Sequence, residues 1–126
     1  MNVVGDFQVT KRNRVATLIN ELVVSYNGNT LVIPKGFKSN GASIPVPILN
    51  CTKVDPLDDR WLFACMVHDA LISERGTQAA VLQPINRPLT WEEATDWFDE
   101  ALKYNKTPSF YRRSFVASVK LYGLWR

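Results

Sequence analysis

The sequence has 126 residues, a formal net charge of +3, and 46% hydrophobic against 21% charged residues. That balance suits one compact globular domain and excludes a disordered or collagen-like chain. The longest unbroken apolar run, Trp61 to Val67, is seven residues, far below the roughly 18–20 of a membrane span, and the first residues lack the basic start and apolar core of a signal peptide. Cytoplasmic synthesis without export is the expectation.

In chain order, Phe7 to Lys11 is a short strand candidate. Thr17 to Tyr26 alternates as one strand, with Leu18, Leu22, Val24 and Tyr26 on one face, Glu21 and Ser25 on the other, and Asn20 the exception on the first. Asn27-Gly28-Asn29 supplies turn chemistry, because Asn and Gly tolerate positive φ. Thr30 to Ile33 returns to complete a hairpin and stops at Pro34, which has no N–H to give a ladder. Gly36, Gly41, Pro45 and Pro47 then make Lys35 to Cys51 a loop.

Asp55-Pro56 reads as N-cap and first helical residue, with Asp58 and Asp59 complementing the dipole of a helix running to about Ile72. Trp61, Cys65, His68 and Ile72 form one stripe and Ala64, Val67 and Leu71 the next. A helix apolar around most of its girth belongs at the centre of the fold. Residues 73–88 read as a long connection. Thr90 caps the second helix, Glu93 completes a capping box, and Leu89 and Ala94 are placed as a weak staple. Its inner face is Ala94, Trp97, Phe98, Ala101 and Leu102, and its wet side Glu92, Asp96, Asp99 and Lys103. Thr107-Pro108 opens the third helix, with Tyr111, Phe115, Val119 and Tyr122 inward and Gly123 as the expected stop. The result is a single α+β domain over 1–126, a β-hairpin or small antiparallel sheet packed on about three helices. Its parts are a β-rich 1–34, a motif loop 35–54 and a helical 55–126.

Charge is unevenly spread. Residues 1–54 carry six Lys/Arg against two acids, 55–105 four against ten, and 106–126 five against none. Such asymmetry can mark a face for a polyanion; the favoured reading is that the basic ends pack around the acidic middle in one domain. No nucleic-acid motif accompanies the basic residues.

There is one histidine, His68, and there are two cysteines, Cys51 and Cys65. Zinc sites draw several Cys and His ligands at short spacings, so no metal site or cofactor is expected here. Any triad or Cys–His dyad would have to use His68, and Cys51 and Cys65 allow at most one disulfide. Two local constellations remain. Gly36-Phe37-Lys38-Ser39-Asn40-Gly41-Ala42-Ser43-Ile44-Pro45 could wall a polar pocket or an anion nest, or serve as a turn-rich connection. His68-Asp69 could ligate a metal or act as acid and base, or be a hydrogen-bonded core histidine and its neighbour.

Taken together, these motifs resemble a family of phage and prophage proteins known as domain of unknown function 1353. Its Val/Ile-Pro-x-Gly-Phe is matched by Ile33-Pro34-Lys35-Gly36-Phe37, and its Thr-Asp-x-Ala-Ser-Ile-Pro by Ser39-Asn40-Gly41-Ala42-Ser43-Ile44-Pro45. Its His-Asp-x-Leu is His68-Asp69-Ala70-Leu71, and its Ala-Asp-x-x-Phe-x-x-Ala-Leu falls on Ala94 to Leu102. A basic, aromatic helix follows, here Arg112 to Gly123. The resemblance covers about residues 18–123. Two family aspartates are replaced: one is Asn40, the other falls at Thr95, with Asp96 displaced by one residue onto the solvent side.

The resemblance implies a phage or prophage origin and a virion-associated (tail or capsid accessory) or assembly role. With two carboxylates missing, Ser43, His68 and Asp69 read as a structural knot between loop and helix. Other phage or virion proteins are the expected partners, through Tyr111, Arg112, Arg113, Lys120, Trp125 and Arg126. The alternative is a hydrolase on cell-wall or phosphoester substrates using His68, Asp69, Ser43 and Asn40, with His68 and Asp69 as ligands if a metal takes part. Nucleic-acid binding through the basic termini is a third reading. The expected location is the host cytoplasm and then the virion.

Overall fold

The computed structural model describes residues 1–41, 55, 57–72, 80–85, 87 and 89–125, with side chains as far as 121. Its strands are β1 (Asn2–Val4), β2 (Val9–Arg12), β3 (Val15–Leu18), β4 (Leu22–Tyr26), β5 (Asn29–Ile33), β6 (Lys38–Ser39) and β7 (Val81–Gln83). Its helices are α1 (Leu62–Ile72), α2 (Trp91–Tyr104) and α3 (Ser109–Trp125). Among the described residues, two antiparallel sheets, ordered β1-β4-β5-β7 and β2-β3-β6, pack with three helices in an α+β arrangement, as the sequence pattern predicts.

The alternation from Thr17 to Tyr26 does not make one strand. It breaks after Leu18, and β3 and β4 enter different sheets while Leu18 and Leu22 both stay buried. Asn20, the polar exception, lies in that bend and donates its side-chain amide to Gln8 Oε1 at 3.1 Å. A period-two pattern reports which residues face inward and is blind to a corner that leaves them inward. The first strand candidate is likewise shifted, to Val9–Arg12, and β1, β6 and β7 are strands the sequence reading left out. All three are two or three residues long, too short to display alternation.

The β4–β5 hairpin forms as expected. Tyr26 pairs with Asn29, leaving Asn27 (φ 51°) and Gly28 (φ 78°) as a two-residue turn. Positive φ at both positions is the type I′ geometry that suits strand twist. A Cβ on Gly28 would meet nothing within 4 Å, whereas one on Gly5 (φ +104°) would lie 2.7 Å from the Glu21 carbonyl oxygen. Gly28→Ala should therefore cost only the backbone penalty, about 1–2 kcal/mol, and Gly5→Ala more. Urea unfolding checks this, and equal losses would remove the steric part of the argument.

The entry to α1 differs from the expected cap. Asp55 Oδ1 accepts Leu57 N–H at 2.9 Å, and its carbonyl accepts Trp61 Nε1–H at 2.7 Å. Asp58 then takes over: its carbonyl accepts Leu62 N–H and its Oδ1 accepts Arg60 N–H. Two successive aspartate turns thus delay the helix to Leu62. Nine of its eleven residues are buried, His68 among them. The inner faces of the sheets supply Ala16, Leu18, Leu22, Val24, Leu31, Ile33 and Leu82 to the same core, with Ala94, Phe98, Ala101 and Leu102 of α2 and Phe115 and Val119 of α3.

The capping box of α2 is present: Glu93 N–H donates to Thr90 Oγ1 and Thr90 N–H to Glu93 Oε1. Arg87 grips the same carboxylate through two bonds of 2.9 and 3.0 Å. Arg87 first, and the Thr90 backbone N–H second, hold the Glu93 carboxyl down to about 2. Because the folded value lies below the ordinary 4.5, this contribution is complete above pH 4.5 and is lost as pH falls toward 2. The stability gap between the native protein and Glu93→Gln should narrow over that window in acid-titrated thermal melts. A constant gap would argue against the carboxylate.

The third helix departs from the expected stop, since Gly123 lies inside α3. A lone helical glycine costs only about 1 kcal/mol relative to alanine, too little to end a helix by itself.

Candidate functional site

The motif loop leaves β5 at Ile33 and is described as far as Gly41. Ser43 lies outside the described residues, as does Cys51, and so do the expected Ser43 knot and any Cys51–Cys65 pairing. Within the described part, β6 pairs with β3, Ala16 opposite Ser39, which brings the 3% exposed Ser39 against α1. Ser39 Oγ–H donates to Asp69 Oδ2 at 2.7 Å, and Gly41 N–H donates back to Ser39 Oγ at 3.3 Å. The positive φ of Gly41, 73°, folds the chain so that its N–H can reach. Among the described residues, loop and helix are therefore tied together through Ser39 and Asp69. The place of Ser39 in the Gly-Phe-x-Ser stretch is the signal that could have singled it out.

Helical geometry turns His68 about 100° away from Asp69, toward α2. Its ring is fully buried, Nε2 included. It stands edge-on to Trp91 (centroids 4.9 Å, 89°) and to Phe98 (5.5 Å, 61°). Trp91 is itself anchored by Nε1–H to the Val119 carbonyl at 2.7 Å. Between those two rings along α2 sits Thr95, 1% exposed, with its hydroxyl donating to the Trp91 carbonyl. Residue 95 thus lies on the histidine-facing stripe, whereas Asp96 and Asn40 are exposed.

Cys65, one turn before Asp69, is fully buried. Burial first and the Asp69 charge second push its thiol well above the ordinary range. That removes thiolate chemistry near neutral pH. Among the described residues, no three His, Cys, Asp or Glu side chains converge as metal ligands. What the arrangement offers is one carboxylate held by a hydroxyl and one imidazole enclosed by aromatic edges.

The expected partner residues separate into two groups. Tyr111 packs on Trp61 and Phe115, with the Arg60 guanidinium 5.3 Å from its ring centroid. Arg112 bonds Asp99 at 2.9 Å, joining α3 to α2. Both are engaged within the chain. Arg113 and Lys120 are exposed, together with two residues the sequence reading missed, Phe110 (68%) and Leu121 (58%). The spacing of 110, 117 and 121 was the available signal, a second apolar stripe facing away from the core. The side chains of Trp125 and Arg126 lie outside the described residues.

A family model described as Protein of unknown function (DUF1353) matches residues 16–119, most of the chain. The chain belongs to DUF1353. No curated protein and no solved structure matches it. The DUF1353 match begins in β3 and ends in α3, so Ser39, His68, Asp69 and Thr95 fall within it while β1 and β2 precede it. Among the described residues of this DUF1353 member, no helix is long and apolar enough to cross a membrane.

Proposed function

We propose that the chain is a small phage- or prophage-encoded interaction protein, virion-associated or an assembly factor, that works without catalysis. It is made in the host cytoplasm and then joins the particle or its assembly intermediates. The phage origin rests on the sequence resemblance. The absence of catalysis rests on one observation, the complete burial of His68 against Trp91 and Phe98. A hydrolytic base has to come within hydrogen-bond reach of its substrate, and this imidazole is sealed behind two rings. The outward stripe of α3, with Phe110 and Leu121 beside Arg113 and Lys120, is the face offered to a partner. Aromatic and arginine side chains are favoured anchors there.

The single imidazole makes the reading easy to test. Diethyl pyrocarbonate should leave the 240 nm absorbance of the folded protein unchanged and acylate one histidine per chain once the protein is denatured. Rapid modification of the folded protein would reopen the hydrolase reading. In a phage carrying the gene, the tagged chain should band with particles or assembly intermediates on a density gradient. Its absence from both would overturn the assembly role.

A further inference from the structure

The smaller sheet, ordered β2-β3-β6, has β2 as its outer strand. In that sheet β2 pairs only with β3, so one side of β2 is unpaired among the described residues. The register shows which groups lie along it. Ile19 N–H donates to the Gln8 carbonyl, and Leu18 N–H to the Phe37 carbonyl on the opposite side of β3. Antiparallel pairs alternate between bonded and non-bonded. With Val9 opposite Leu18 and Lys11 opposite Ala16, residues 8, 10 and 12 bond β3, while the N–H and C=O groups of Val9 and Lys11 point away from it. These four groups are arranged as a strand presents them to a neighbour.

A groove of about 690 Å³ lies here, with Phe7, Val9 and Lys11 on the strand side and Asp59 and Asn105 on the other. That volume is within the roughly 300–1,000 Å³ of ligand clefts. Phe7 and Val9 give one end an apolar wall; Lys11 marks the other, its Nζ 2.8 Å from Asp59 Oδ1. From Phe7 to Asn20 the chain holds Lys11, Arg12 and Arg14 and no acid. Two copies pairing through β2 would set these cations against one another, which is destabilising. The charge fits an acidic strand. β2 lies before the residues that the family model matches.

We propose that the β2 edge captures an extended, acidic segment of a partner protein by strand addition, the backbone of Val9 and Lys11 supplying the hydrogen bonds. In an antiparallel complex, the partner residue opposite Lys11 is acidic, and the residue two places later, opposite Val9, is apolar. Both side chains lie on the groove face. An acid there displaces Asp59 from Lys11 or shares it. This site is separate from the outward stripe of α3, so either can fail without the other.

The test uses the full chain, isotope-labelled, and the peptide acetyl-Thr-Glu-Thr-Val-Thr-amide. The amide resonances of Val9 and Lys11 should shift on titration. Replacing the peptide's Glu by Lys should weaken binding about tenfold, as should N-methylation of its Val, which removes one strand hydrogen bond and leaves the charge unchanged. Val9→Pro should fold, because the lost N–H serves no ladder bond, and should not bind. Lys11→Glu should reverse the charge preference, and it serves as the second variant should the proline disturb the strand. Unmoved Val9 and Lys11 amides, or an N-methylated peptide that binds as well as its parent, would overturn the proposal.

Discussion

Trp61→Ala should lower the unfolding free energy by about 3–5 kcal/mol, within the range for large aromatic truncations in a core, and the melting temperature by more than about 10 °C. Trp61 is fully buried at the junction between the aspartate turns and α3. Its ring meets Phe115 edge-on at 5.2 Å and Tyr111 at 5.3 Å, and Arg60 lies 4.6 Å from its centroid. Its Nε1–H also satisfies the Asp55 carbonyl. Alanine removes all of these at once and leaves a cavity between two elements far apart in sequence. Trp61→Phe should recover much of the loss by restoring a ring, while the Asp55 carbonyl loses its donor. Urea and thermal unfolding of the two variants separate packing from the hydrogen bond. A Trp61→Ala protein within 1 kcal/mol of the parent would mean that α3 does not depend on this contact.

His68→Ala should cost about 2–4 kcal/mol, by the same cavity mechanism on a smaller ring. Trp91 and Phe98 would each lose an edge contact in a place that α1 and α2 leave little freedom to collapse. Lys120→Ala, on the exposed side of α3, should change stability by no more than about 0.5 kcal/mol. Thermal denaturation of the two variants side by side checks the contrast. A His68→Ala protein as stable as Lys120→Ala would show that the imidazole contributes nothing to the core, and the structural reading of the motif would fail with it.

Periodicity was a sound guide where the elements are long. The capping box at Thr90 and Glu93, the inner face of α2 and the Asn27-Gly28 turn are all where local chemistry puts them, because each is fixed by residues within a few positions. What escaped was set by distant contacts. Ser39 joins Asp69 across thirty positions because β6 pairs with β3, and nothing near Ser39 in the chain encodes that pairing. Arg112 looked like a surface residue beside Arg113; its engagement depended on Asp99, which its own helix does not contain. The family resemblance was legible because Ile33 to Pro45 and His68-Asp69 are short, contiguous strings. The depth of His68 was only half legible. Its stripe predicted burial, while the identity of its neighbours needed the packing of α2 on α1.

The girth of α1 has a consequence for synthesis. A ribosome releases Leu62 to Ile72 well before Trp91 to Tyr104 and Ser109 to Trp125, the helices that cover one side of it. For that interval the nascent chain carries a nearly all-apolar segment, and among the described elements β1 to β6 are what has already emerged to shelter it. Exposed apolar surface of this kind is what drives aggregation of partly folded chains. The segments that form α2 and α3 therefore decide whether α1 remains in solution, and a chain ending at Ile72 should collect in inclusion bodies.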